Sequence, residues 1–89
     1  HKNIKDRIMH YLYEESLNLQ SNTIEFNSVI SFSKILSIPR PTLSKELSKL
    51  KDEKLINITK RGQRCFITLL KWFKIKYEAQ KRAFFTFFL

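Results

Sequence analysis

Both prolines of the 89-residue chain flank Arg40, and they fix one helix boundary before any other residue is considered. The residue preceding a proline is pushed out of the α region, so a helix arriving from the N-terminal side must stop ahead of Pro39. Proline is tolerated in a first helical turn, where the missing N–H has no intrahelical partner in any case. A new helix therefore starts at Pro39-Arg40-Pro41. Upstream, Asn27-Ser28 offers an N-cap, and Val29, Phe32, Ser33 and Leu36 share one helical face. Downstream, Leu43, Leu47 and Leu50 form a buried stripe. Pro41, Lys45, Ser48, Lys49 and Asp52 lie opposite, with Thr42 and Ser44 on the flanks. Only Ser37 to Pro39 separates the two helices, which forces a steep crossing.

The remaining segments surround this pair. Ile4, Ile8 and Leu12, and less regularly Met9 and Leu17, recur at helical spacing and predict an amphipathic helix over about residues 3–18. Ser21-Asn22 breaks it, and Thr23-Ile24-Glu25-Phe26 is short, alternating and β-prone. Leu55 to Thr59 and Cys65 to Leu69 alternate as half-buried strands. Lys60-Arg61-Gly62-Gln63-Arg64 lies between them and includes the only glycine of the chain, available for a positive-φ turn position. Three cations thus sit at the tip of a hairpin. A last helix is expected from Leu70 to about Arg82, followed by the apolar run Ala83-Phe84-Phe85-Thr86-Phe87-Phe88-Leu89. The predicted class is α+β: a winged helix-turn-helix of three to four helices with a small antiparallel sheet, forming one domain over residues 1–89.

Composition narrows the function. The net charge is +9, unevenly spread: residues 1–59 carry nine Lys/Arg against seven Asp/Glu, whereas residues 60–89 carry eight against one. Such an excess on part of a small chain is the electrostatic footprint of a polyanion binder. No apolar run approaches the roughly 18 residues a membrane span requires. The first residues show no signal-peptide core, so a cytoplasmic protein without stable membrane association is expected. Cys65 is the lone cysteine; it excludes an internal disulfide and reads as a small buried hydrophobe. His10 belongs to an amphipathic helix, and no Cys/His cluster has zinc spacing. Paired carboxylates, a Ser-His-Asp set and a phosphate loop are all missing, so the chain does not read as an enzyme and implies no cofactor.

In a helix-turn-helix the second helix lies in the DNA major groove, and side chains near its N-terminus reach the base edges. Over a recognition helix at about 40–53, Arg40, Ser44 and Lys45 are the candidate base contacts. Thr42 lies in the same stretch, and Lys49, one turn on, is better placed for a phosphate or a flanking base. A wing at 60–64 would set Lys60, Arg61 and Arg64 on the neighbouring phosphates. The expected partner is double-stranded DNA.

Residues 33–56, Ser33-Lys34-Ile35-Leu36-Ser37-Ile38-Pro39-Arg40-Pro41-Thr42-Leu43-Ser44-Lys45-Glu46-Leu47-Ser48-Lys49-Leu50-Lys51-Asp52-Glu53-Lys54-Leu55-Ile56, resemble the helix-turn-helix of the Crp–Fnr (cyclic-AMP receptor protein / fumarate–nitrate regulator) family of transcription regulators. The likeness extends over about residues 3–70 and is most specific from Arg40 to Leu47. It implies the output domain of a bacterial effector-responsive regulator. The sensory β-roll and long dimerisation helix would lie outside these residues, an expectation that fits the absence of an initiating Met. A homodimer through that missing part, and RNA polymerase as a further partner, are implied with it. By position, Arg40, Ser44 and Lys45 match the family's base-reading residues. Thr42 matches a phosphate contact, and Ser28 matches the hydroxyl that caps the preceding helix against the backbone. The sequence departs from the pattern at Ser33 and Ser37 (small alanine and turn glycine), at Pro39 (serine N-cap), at Pro41 (often Glu) and at Lys54 (glycine). Two other roles share the predicted fold: a plasmid replication initiator, and a winged helix used for protein–protein contact.

Overall fold

The computed structural model describes the backbone of residues 3–88 and the side chains of residues 3–80. Its elements run α1 (Ile4–Leu19), β1 (Thr23–Phe26), α2 (Val29–Leu36), α3 (Arg40–Asp52), β2 (Ile56–Arg61), β3 (Arg64–Leu69) and α4 (Lys71–Phe88). Helix α1 starts where Asn3 caps it, its side-chain oxygen accepting from the Asp6 N–H at 2.8 Å. Ser28 caps α2 in the same way, accepting from the Ser31 N–H at 3.1 Å. Each such bond satisfies a donor that a helix start leaves unpaired. Pro39 at the head of α3 provides no side-chain cap, as its chemistry dictates.

Helices α1, α2 and α3 all end in one device. The chain turns left-handed at Gln20 (φ 51°), Ser37 (φ 55°) and Lys54 (φ 62°). Behind each, paired backbone bonds close the helix end: Gln20 N–H to Leu17 C=O and Ser21 N–H to Ser16 C=O, then Ser37 to Lys34 and Ile38 to Ser33, then Lys54 to Lys51 and Leu55 to Leu50. These are Schellman motifs, which ordinarily carry glycine at the left-handed position. In the third, the buried Leu55 lies beside the buried Leu50, the apolar contact that accompanies the motif.

The sheet is antiparallel with order β1-β3-β2. Strand β3 is central, pairing Ile24 with Ile67 on one side and Ile58 with Ile67 on the other. Period-two alternation sends Ile24, Phe26, Ile56, Cys65, Ile67 and Leu69 into the core. They meet Ile8, Met9 and Leu12 of α1, Phe32 and Leu36 of α2, Leu43, Leu47 and Leu50 of α3, and Phe73 of α4. Phe26 and Phe32 stack at 3.9 Å between centroids, and Tyr11 leans on both.

The structure corrects the sequence reading in three places. The hairpin loop is only Gly62-Gln63, because Lys60 pairs with Cys65 and Arg61 with Arg64 inside the ladder. Gly62 alone has positive φ in that loop, at 61°, the type II′ pattern whose twist matches paired strands. Strand β2 starts at Ile56 instead of Leu55, since the Leu55 N–H closes the end of α3. Helix α4 continues to Phe88, beyond the expected stop near Arg82. The side chains of the run from Ala83 onward lie outside the described residues.

Candidate nucleic-acid interface

Helix α3 turns Leu43, Leu47 and Leu50 fully into the core and leaves the other face in solvent. Arg40, Pro41, Ser44, Lys45, Ser48 and Lys49 are all exposed, and Thr42 is half-buried. Residues four apart stack along a helix, so Arg40, Ser44 and Ser48 form one row and Pro41, Lys45 and Lys49 the next. The predicted base-reading set thus converges on one surface of the first two turns. Among the described residues no ion pair engages Arg40 or Lys45. Lys49 differs: its ammonium stands 3.5 Å from the Glu46 carboxylate one turn back.

The orientation of α3 is braced from behind. Glu53, its C-terminal cap, accepts from Lys5 of α1 at 3.0 Å and lies 3.6 Å from Lys76 of α4. The bond from Lys5 holds the Glu53 carboxyl below the usual carboxylate range, and Glu53 in turn raises Lys5. The guanidinium of Arg7 donates to the Leu36 carbonyl at the end of α2. Helix α1 therefore grips the C-terminal ends of both α2 and α3. Its His10 meets Tyr77 of α4, with 2.7 Å between Nδ1 and the phenol oxygen, and Tyr13 stacks on Tyr77 at 4.5 Å. His10 is a packing residue here.

The hairpin presents Lys60, Arg61 and Arg64 as exposed cations, and they are not equivalent. Arg64 is tied to Glu25 of β1 at 3.1 Å. Arg61 stands over the Phe66 ring at 6.0 Å. Both members of the Arg64–Glu25 pair are well exposed, 65% and 45%, and such pairs contribute only about 0–1 kcal/mol. A phosphate can take Arg64 at little cost. Ser28 is half-buried and already committed as the α2 cap. Glu25, Glu53 and Phe66 were not singled out by the sequence. Alternation alone places Phe66 on the outer sheet face, whereas the pairing of Glu25 with Arg64 depends on a strand order that local pattern does not encode.

Other chemistry finds no support in the described residues. They hold no cluster of three or more His, Cys, Asp or Glu able to bind a metal. Cys65 is buried, and that burial pushes its thiol up, with Lys60 opposing the shift. A shallow open groove lined by Leu55, Trp72, Ile75 and Ala79 lies at the C-terminal end of α3, rimmed by Glu53, Lys54 and Lys76. No helix among the described residues is long and apolar enough to cross a membrane.

Three helices and a three-stranded sheet, with a hairpin directly after the second helix of a tight pair and a fourth helix closing the core, define a winged helix-turn-helix fold. Its backbone is similar to the crystal structure of MepR, a transcription regulator of the Staphylococcus aureus multidrug efflux pump MepA, with a TM-score of 0.59 and 19% sequence identity. The match covers 96% of this chain and 64% of MepR, so the chain spans less than two thirds of that protein. No family model matches the sequence, and no curated protein matches it. The likeness to MepR extends to the fold. The resemblance to Crp–Fnr regulators is not supported by these comparisons.

Proposed function

We propose that the chain binds double-stranded DNA as the output module of a transcription regulator, with α3 in the major groove and the β2–β3 hairpin on the flanking backbone. The observation that carries this reading is the two-row face of α3, where Arg40, Ser44 and Lys45 stand exposed while the leucine stripe behind them is fully buried. A B-DNA major groove admits one such helix, and arginine can bond guanine O6 and N7 together. Arg40, Ser44 and Lys45 would read bases. Thr42, Lys49, Ser28 and the hairpin cations Lys60, Arg61 and Arg64 would hold phosphates, with Ser28 contributing only through the cap geometry it already has. The fold of a solved transcription regulator is consistent with the regulatory role. The Crp–Fnr resemblance of Arg40 to Leu47 favours an effector-responsive parent that pairs as a homodimer through segments outside these 89 residues, contacts RNA polymerase and works in the cytoplasm.

The test is selection of duplex sites from a random pool, followed by titration of the chain and of Arg40→Ala on the selected site and on a scrambled one. The expected result is a preference for the selected site that falls by a factor of about 5–150 in the variant, the range of one bidentate arginine–guanine pair. Equal affinity of the parent chain for both duplexes would defeat the reading of α3 as a recognition helix.

A further inference from the structure

The sheet has a second face, turned away from the core that the helices pack into. Register and alternation place Thr23 and Glu25 of β1, Arg64, Phe66 and Thr68 of β3, and Asn57, Thr59 and Arg61 of β2 on the side away from the core. All are exposed except Phe66 and Thr68, which are half-buried. Phe66 is the one aromatic among them, and it occupies the central strand between Glu25 and Thr59. The core does not claim it: its strand neighbours Cys65 and Ile67 point the other way and are buried. Arg61 reaches over one side of the ring. Arg64, one step along the same face, is held by Glu25.

We propose that this outer face is a stacking platform for single-stranded nucleic acid, with Phe66 taking an unpaired base and Arg61 and Arg64 holding the adjoining phosphates. An aromatic ring on a solvent-facing strand accepts any base, because every base has a π-face. Two arginines beside it supply the positive charge that a single-stranded backbone follows, and the hydroxyls of Thr23, Thr59 and Thr68 can meet sugar or base edges. Charge selects this occupant over an apolar or basic protein surface, and the Phe66 ring favours a stacking base over a carboxylate-rich one. The lone carboxylate of the face, Glu25, is already neutralised by Arg64, and residues 60–89 carry eight cations against one anion. The platform shares Arg61 and Arg64 with the duplex reading but uses Phe66 in place of α3, so Phe66 and Arg40 variants separate the two.

The experiment is fluorescence anisotropy of the 89-residue chain with labelled oligothymidylate and oligouridylate of about 15 nucleotides, within the span of known single-strand sites. At least one strand should bind, Phe66→Leu should weaken that binding about tenfold, and Phe66→Tyr should keep it, since tyrosine retains a stacking face. Arg61→Gln should weaken it and flatten its salt dependence by about 0.7 of a logarithmic unit, one phosphate's worth for a single strand. Arg40→Ala should leave it unchanged while lowering duplex affinity. No binding of either strand overturns the proposal, as does a Phe66→Leu chain that binds like the parent or a Phe66→Tyr chain that loses as much as Phe66→Leu. Should Phe66→Leu fail to melt cooperatively, Arg61→Gln decides: unchanged single-strand affinity refutes the platform.

Discussion

Lys54 stands at the left-handed position that closes the recognition helix, with φ 62°. For a residue with a β-carbon this conformation costs about 1–2 kcal/mol. Glycine removes that cost but gives the unfolded chain more freedom, a loss of about 0.5–1 kcal/mol. Among the described residues the Lys54 side chain makes no ion pair or hydrogen bond that would offset the difference, and it is exposed. The two backbone effects differ by about 0–1.5 kcal/mol, so Lys54→Gly should stabilise the chain by a central value of about 0.75 kcal/mol. For a chain of this size that raises the melting temperature by roughly 3–6 °C, readable by circular dichroism. Lys54→Ala is the control, because it removes the same charge while keeping the β-carbon and the strain. If alanine gains as much as glycine, the effect comes from charge, and the backbone argument is wrong. Ser37→Gly, at φ 55° between α2 and α3, should add its own gain of similar size, since it closes a different helix.

Three further outcomes follow from the geometry. On duplex DNA, Arg61→Gln should flatten the salt dependence by about 0.9 of a logarithmic unit, and Arg64→Gln by less, because its counter-ion is replaced by Glu25. Removing that competitor as well, in Glu25→Gln, should raise duplex affinity. Glu53 has a lowered carboxyl because Lys5 bonds its ionised form; its stabilisation is present above the ordinary carboxylate range and disappears as pH falls through the lowered folded value. Melting temperature should therefore drop on acidification below about pH 4, and less steeply in Glu53→Gln. Cys65, with its thiol raised by burial, should resist a maleimide in the folded chain and react on unfolding, measured by mass spectrometry.

Much of the fold was legible because it is written in short-range pattern. The leucines at 43, 47 and 50 have no reading but a helix face, and Pro39 leaves its start little freedom. The lone Gly62 marks the hairpin, whereas the pairing of Lys60 with Cys65 and of Arg61 with Arg64 leaves no local signal. Charge at Lys60, Arg61 and Arg64 suggested solvated loop, yet strands tolerate cations wherever the register turns them outward, as it does here. The order β1-β3-β2 was not legible, because it arises when β1 crosses over to the far edge of β3, a contact between residues about 40 positions apart, as Glu25 and Phe66 are. The Arg64–Glu25 pair depends on that crossover. Lys54 and Ser37 were legible as departures from a glycine pattern. Their cost became definite only with the positive φ.

The ion pairs divide the cations into two populations with different roles. Lys5 and Lys76 converge on Glu53, and the Arg7 guanidinium is spent on the Leu36 carbonyl; these cations fasten α1 and α4 to the back of the helix pair. Arg40 and Lys45 at the head of α3, and Lys60 and Arg61 on the hairpin, have no carboxylate partner among the described residues. A protein needing only its own stability would gain from pairing these too, since a few tenths of a kcal/mol are available from each helical i,i+4 partner. Position 41, four residues before Lys45 on the same row, is where such a carboxylate would stand. Pro41 occupies it instead, which keeps the start of α3 rigid and leaves Lys45 unneutralised. Duplex affinity should accordingly fall in Pro41→Glu through repulsion of the phosphates, even though a glutamate there would help the isolated helix by its dipole. A Pro41→Glu chain that melts higher and binds duplex DNA as tightly would show that the exposed charge on α3 serves some purpose other than meeting a polyanion.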